Sequence, residues 1–180
     1  MAEVYRMTIE ISDISYSFSF ETDLNMMNGY GEIKIFSDED FEQEETIGGI
    51  SFHFYNGYEF DSNQELLISS DSVSGDEIYM IHSFLESDFD RGKIITLDRI
   101  DVQETYHSVE IELQILEEFV EFCNYMDFDY IVVIAANPKH HDKKGIVEFP
   151  QLKPYRELNF TKLGGTDNRL PVMIKVLDEI

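Results

Sequence analysis

The chain has 180 residues with 37 acidic and 13 basic side chains, which gives a formal net charge of −24. Its 43% share of hydrophobic residues exceeds that of a disordered acidic tail and predicts a folded domain with a substantial core. Such a charge repels nucleic acid and anionic membranes, so we expect neither as a direct partner. No apolar run approaches bilayer length and no signal pattern opens the sequence, which favours a cytoplasmic protein.

The acidic residues are concentrated in the N-terminal half. Residues 1–90 hold 21 of the 37 acids but only two of the 13 bases. Within that half, residues 37–45 form a charge run without apolar periodicity, which indicates a solvated loop. A concentrated negative field attracts basic partners, although the same charge also fits plain solubility. The candidate partner-binding residues are the six acids of this run: Asp38, Glu39, Asp40, Glu42, Glu44 and Glu45.

Strands dominate the first sixty residues. Residues 3–20 alternate between large apolar and small polar side chains, a period of two that indicates a half-buried antiparallel strand. Asn28-Gly29 is a strong turn signal and precedes the short strand GEIKIF. Residues 47–60 return to strand. The apolar spacing then becomes helical over residues 64–89, with a break near Ser74-Gly75, which predicts one or two helices.

The C-terminal half alternates strands and helices. Apolar residues in steps of four, three, four and three predict an amphipathic helix over residues 108–125. Cys123 falls in this repeat, so we interpret it as a core residue rather than a catalytic thiol. The other predicted elements of this half are strands at 93–102, 130–136 and 171–177 and a short helix at 151–160.

The order strand, helix, strand, short helix, strand resembles the C-terminal part of the GNAT (Gcn5-related N-acetyltransferase) fold. KIITLDRIDV resembles the central strand of that family, residues 108–125 its main helix, YIVVIAANP the next strand, and PYRELNFTKLG its Tyr-x-x-x-Gly-Phe segment. The resemblance implies an α/β (α+β) fold with a GNAT-like mixed, mostly antiparallel sheet flanked by helices. It also implies a single domain, 1–180, in which an acidic, strand-rich half (1–92) precedes a GNAT-like core (93–177).

In active members of this family the turn after the central strand reads Arg/Gln-x-x-Gly-x-Gly/Ala, and its amides and helix N-terminus hold the pyrophosphate of acetyl-CoA. That turn corresponds here to six residues: His107, Ser108, Val109, Glu110, Ile111 and Glu112. The Arg/Gln position is His107, and the two small positions are Glu110 and Glu112. Two carboxylates oppose a pyrophosphate by shape and by charge, so we expect a degenerate turn and no bound cofactor. Both glutamates also fit as first-turn acids that stabilise the helix dipole behind Ser108 as N-cap.

Few other residues suggest chemistry. Tyr155 matches the tyrosine that many relatives use as general acid toward the leaving thiolate, which makes it the candidate catalytic residue. The alternative is an ordinary half-buried tyrosine on a short amphipathic helix. His140-His141-Asp142 lies in a lysine-containing segment and is interpreted as solvated, so we expect no metal site.

The leading hypothesis is a non-catalytic GNAT-like protein that works by binding a basic partner, such as the nucleic-acid-binding face of an enzyme. Inhibitors, nuclease-immunity proteins and DNA mimics, including those encoded by phages or mobile elements, share this logic. The alternative is an active N-acetyltransferase that uses acetyl-CoA with an atypical cofactor turn. A third hypothesis is an acidic structural domain without such a partner.

Overall fold

A mixed sheet with helices on both faces organises the protein. The computed structural model describes residues 10–36, 43–135, 139–141, 146–149, 152–164 and 170–177. In this part of the chain the strands are β1 (Ile11–Glu21), β2 (Met26–Phe36), β3 (Glu44–Asn56), β4 (Lys93–Gln103), β5 (Tyr130–Ile134), β6 (Lys139–His141), β7 (Ile146–Phe149), β8 (Thr161–Gly164) and β9 (Val172–Val176). The helices are α1 (Asn63–Asp71), α2 (Gly75–Leu85), α3 (Val109–Tyr125) and α4 (Leu152–Glu157).

The strands follow the order β1-β2-β3-β4-β5-β9-β8, and the β6–β7 hairpin joins the sheet through β7, which pairs with β4. Strand β5 runs parallel to β4, because α3 carries the chain back from the end of one strand to the start of the other. The other pairs in the described part of the chain are antiparallel. This arrangement confirms the predicted mixed, mostly antiparallel sheet flanked by helices, in a GNAT-like order from β4 to β9.

Two apolar clusters cover the two faces of the sheet. Successive residues of β4 point to opposite sides, so Ile95 joins the cluster that contains α3, whereas Ile94 joins the cluster that contains α1 and α2. The α3 side takes its helical contribution from Ile111, Ile115 and other residues at intervals of three and four, including Cys123, which is fully buried as predicted. Burial on both faces is why the central strands are almost continuously apolar.

The predicted break near Ser74-Gly75 separates two helices. Ser62 is the N-cap of α1 and accepts a hydrogen bond from the amide of Glu65 at 3.3 Å. Ser74 is the N-cap of α2 and accepts one from the amide of Glu77 at 3.0 Å. Each serine thus satisfies one of the amides that a helix start leaves without an intrahelical partner.

The turn predicted at Asn28-Gly29 is wrong, because both residues lie inside β2. The chain reverses instead through Thr22–Leu24 and Asn25, whose φ of 49° places it in the left-handed region that asparagine tolerates. Gly29 has a packing role: a Cβ atom at this position would lie 2.2 Å from the ring of Phe52 on β3. The glycine therefore makes room for an aromatic ring.

A similar close approach at Gly48 gives a test of the sheet. A Cβ atom there would lie 2.0 Å from the carbonyl oxygen of Asp101 on β4. We expect Gly48→Ala to lower the free energy of unfolding by about 1–3 kcal/mol, because the backbone of β4 must move. The matched control is Gly75→Ala, where nothing lies within 4 Å of the new methyl group and helix propensity favours alanine. Urea unfolding of both variants checks this pair, and an equal loss of stability in both would contradict it.

Candidate functional site

The site that the fold offers for a ligand is the crevice where β4 and β5 part. The two parallel strands pair from Ile94 with Tyr130 to Leu97 with Val133. Beyond that point β5 ends at Ile134, and β4 continues through Asp98 and Arg99 to Gln103, where the chain turns into α3. In open α/β sheets, ligands bind in such crevices at the carboxyl ends of parallel strands, next to helix N-termini.

Strand β7 occupies the edge of β4 at this crevice. Residues Ile100 to Gln103 of β4 pair in antiparallel register with Phe149 to Ile146 of β7. On its other edge β4 pairs with β3, from Gly48 opposite Val102 to Asn56 opposite Lys93. The second half of β4 is therefore a central strand, and its edge is committed to the sheet rather than open to a ligand.

The protein's own groups also cap the start of α3. Ser108 is the N-cap, as predicted, and its hydroxyl accepts a hydrogen bond from the amide of Ile111 at 3.2 Å. The carbonyl oxygen of Ser108 accepts the first intrahelical bond, from the amide of Glu112 at 3.0 Å. A phosphate at this helix start would compete with the serine hydroxyl for the same amide.

Glu112 is a buried residue of α3 rather than a surface acid of its first turn. Its side chain is fully buried, and one carboxylate oxygen lies 2.7 Å from Nε2 of His107, whose side chain is 19% exposed. Glu112 lies four residues before Leu116, so it occupies the core face of α3, with the apolar residues of the helix. Glu110 points outward and is exposed. The two glutamates of the turn therefore differ: Glu110 is a surface acid, and Glu112 is a buried ionisable group with a histidine partner.

Tyr155, the candidate catalytic residue, lies in the core. Its side chain has no exposed surface, and its ring packs edge-on against Phe160, with 5.0 Å between the ring centroids. Burial raises the pKa of its phenol well above the usual value, and the negative charge of Glu112 acts in the same direction. A general acid must reach the atom that it protonates and needs a pKa near the working pH. In this structure the phenol is enclosed and without a hydrogen-bond partner among the described residues.

The acidic run of residues 37–45 only partly falls within the described chain. Asp38, Glu39, Asp40 and Glu42 lie outside the described residues. Glu44 and Glu45 are the first residues of β3 rather than part of a loop. Glu44 lies 4.0 Å from Nζ of Lys34, and Glu45 accepts a hydrogen bond from the hydroxyl of Tyr106 at 3.2 Å. These two acids therefore belong to a strand rather than to the predicted loop, although Glu44 is exposed to solvent as expected.

A second polar cluster, not predicted from the sequence, lies on the α1–α2 side of the sheet. Glu77 is fully buried in the first turn of α2, and its carboxylate lies 3.2 Å from Nδ1 of His53 on β3. The hydroxyl of Thr96 donates to the same carboxylate. Glu77 precedes Ile81 and Phe84 by four and seven residues, so it lies on the apolar face of the helix. That spacing was the signal that could have revealed the cluster from the sequence.

The charge of Glu77 controls the titration of His53. Burial lowers the pKa of His53, but the hydrogen bond to Glu77 and the negative charges of Glu77 and Asp98 outweigh burial, so the pKa is raised above its usual value. The imidazole is thereby favoured in its charged form, which links α2 to the centre of the sheet by a charge-assisted hydrogen bond.

Other chemistry finds little support in the described chain. Burial raises the pKa of the Cys123 thiol well above its usual value, which disfavours the reactive thiolate. Among the described residues, no group of three His, Cys, Asp or Glu side chains could hold a metal ion. The side chains of His140 and His141, and all of Asp142, lie outside the described part. No helix in the described ranges is long and apolar enough to span a membrane.

No family model and no curated protein matches this sequence. Similar solved structures include the Arabidopsis thaliana NAA60 in complex with a bisubstrate analogue, at 12% identity and a TM-score of 0.46, over 91% of this chain and 98% of that chain. They also include the same plant protein in complex with acetyl-CoA, at 12% identity and a TM-score of 0.43, over 92% and 99%.

The His53–Glu77 pair predicts a pH-dependent part of stability. Because the folded-state pKa of His53 is raised, the pair stabilises the fold fully below the unfolded pKa of about 6.5, and this contribution is lost as pH rises through the folded pKa. We therefore expect His53→Gln to cost more stability at pH 6 than at pH 9. The control is His82→Gln, which removes the exposed pair of His82 with Glu86 and should change little at either pH. Urea unfolding at both pH values checks this, and an equal cost of His53→Gln at the two would contradict it.

Proposed function

We propose that this protein is a non-catalytic, GNAT-like binding protein that uses its acidic surface against a basic partner. The observation that carries the proposal is the pairing of Ile100–Gln103 of β4 with β7, because it fills the crevice that a coenzyme would need. A ligand that entered there would have to displace a strand from the sheet and leave backbone groups without their partners.

The residues around the crevice support the same reading. His107 and Glu112 bond to each other, so neither presents its charge to a coenzyme. Tyr155 is enclosed in the core, next to the Glu112 carboxylate. The paired edge of β4, the His107–Glu112 pair and the enclosed position of Tyr155 thus all disfavour acetyl transfer.

The charge of the protein supports a basic partner. A net charge of −24 on 180 residues gives a negative potential that accelerates the encounter with cationic surfaces and repels anionic ones. Nucleic-acid-binding enzymes have such cationic surfaces, and an acidic protein that covers them would act as an inhibitor, an immunity protein or a DNA mimic. This class of partner is part of the proposal and is defined by charge alone.

Two measurements test the proposal against the alternative of an active N-acetyltransferase. We expect isothermal titration with acetyl-CoA to give no binding heat up to about 1 mM, and no transfer of labelled acetyl groups to a lysine-containing peptide.

Tyr155→Phe should leave the stability unchanged or raise it, since it removes a buried hydroxyl without a hydrogen-bond partner in the described chain. Thermal unfolding of this variant is the check.

Binding of acetyl-CoA tighter than about 100 µM, together with acetyl transfer that Tyr155→Phe abolishes, would establish the enzyme and overturn the proposal. In that case the pairing of β7 with β4 would have to open during the reaction cycle.

A further inference from the structure

A groove between β1 and α3 is lined mainly by aromatic and acidic side chains. It has a volume of about 320 Å³ and lies between Asp13, Ile14 and Tyr16 of β1 and one face of α3. The α3 face consists of residues at intervals of three and four, which helix geometry places side by side: Glu118, Glu121, Phe122 and Tyr125. The amide of Ile11 donates to the side chain of Gln114 at 3.1 Å and so holds the strand against the helix at one end.

Aromatic rings form the floor of this groove and continue out of it. The rings of Tyr16 and Phe122 are stacked, with 3.9 Å between centroids and an interplanar angle of 18°. Phe18 lies beside Phe122, with 6.0 Å between centroids, and is 43% exposed. Tyr125 is 85% exposed. Single exposed aromatic residues are common on protein surfaces, but three contiguous rings with Tyr125 lining the same groove are the kind of patch that marks an interaction site.

Carboxylates surround the rings. Asp13, Glu118 and Glu121 line the groove, and no lysine or arginine is among the described residues that line it. Strand β1 has a register shift between Ile11 and Asp13, and Asp13 lines the groove beside Ile14 and Tyr16. The groove thus combines negative charge with the negative faces of aromatic rings.

This combination selects one kind of occupant. A cation over an aromatic face gains attraction from the ring quadrupole, and nearby carboxylates add to it. Among the cationic groups of proteins, the planar guanidinium of arginine stacks on rings and bonds to carboxylates through several N–H groups at once. The volume lies at the lower end of the range for small-ligand sites, about 300–1,000 Å³, and so suits a side chain rather than a large cofactor. Anionic ligands and anionic membranes are repelled.

We infer that the β1–α3 groove is the place where this protein receives an arginine side chain of its basic partner. The inference rests on the proposed function and names the surface and the residue type through which the acidic protein binds. The guanidinium lies against the part-buried ring of Phe122 and the exposed ring of Tyr125, and Glu118, Glu121 and Asp13 accept its hydrogen bonds.

The probe for this site is a capped decapeptide that carries three arginines separated by glycine and serine. Its matched control carries citrulline, which keeps the shape of the side chain and removes its charge. We expect the arginine peptide to shift the NMR signals of Phe122, Tyr125 and Tyr16 at low salt, and to bind at least about tenfold more tightly than the citrulline peptide. Binding should weaken at physiological salt, where the Debye length is about 8 Å.

Variants separate the groove from the general charge of the protein. The double variant Glu118→Gln with Glu121→Gln should weaken binding of the arginine peptide about fivefold or more. Tyr125→Ala should weaken this binding about two- to fivefold. These three side chains are exposed, so the fold should be unaffected, which circular dichroism checks. The control is Glu59→Gln with Glu86→Gln, which removes the same charge at exposed positions outside the groove and should weaken binding less than about twofold.

The outcomes distinguish this inference from the proposed function. Equal weakening by the groove pair and the control pair, or equal binding of the arginine and citrulline peptides, would overturn the groove as the site. Charge-dependent binding that the groove variants leave intact would do the same, while the acidic binding function would stand. The proposed function itself fails only through the separate titration and transfer assays with acetyl-CoA.

Discussion

The rest of the structure depends on the pairing of β4 along both of its edges. A buried central strand must satisfy its backbone N–H and C=O groups on two sides, because buried polar groups without partners are costly. Strand β3 does so along one edge, and β5 and then β7 do so along the other, over Ile94–Leu97 and Ile100–Gln103. The same arrangement places the start of α3 and fills the crevice beside it. A single set of hydrogen bonds therefore stabilises the sheet and, in the function that we propose, closes the crevice to a coenzyme.

Two buried glutamates stabilise the helices that pack on the sheet. Glu77 and Glu112 lie in the first turns of α2 and α3, on opposite sides of the sheet, and each pairs with a histidine, His53 or His107. Removing one partner from such a pair leaves a buried charge uncompensated and costs on the order of 3 kcal/mol or more. The negative charge of this protein thus has two parts. These two acids hold helices in place, and the exposed acids, such as those at the β1–α3 groove, are the ones that we propose to take part in recognition.

The sequence predicted the order of the longer elements well, missed the short strands β6, β7 and β8, and predicted the surroundings of single side chains poorly. The helical period located α3 within one residue of its start, and the turn signal at Ser74-Gly75 separated α1 from α2, because periodicity and capping are local. Asn28-Gly29 wrongly predicted a turn, because the glycine is needed for the packing of Phe52 on the neighbouring strand and not for a chain reversal. Glu112 and Tyr155 were matched to a family pattern, but burial depends on contacts between distant segments. The partner of β4 beyond Leu97 is likewise a long-range pairing that no local pattern encodes.

The closure of the crevice by β7 is the central claim of this account. Amide hydrogen exchange along β4, followed by NMR with and without saturating acetyl-CoA, tests it most directly. The account predicts that the amides of residues 100–103 that face away from β3 exchange as slowly as those of residues 94–97, and that acetyl-CoA changes neither group. Fast exchange at residues 100–103 that becomes slow only when acetyl-CoA is added would contradict it, since the edge of β4 would then be open and the coenzyme would fill it.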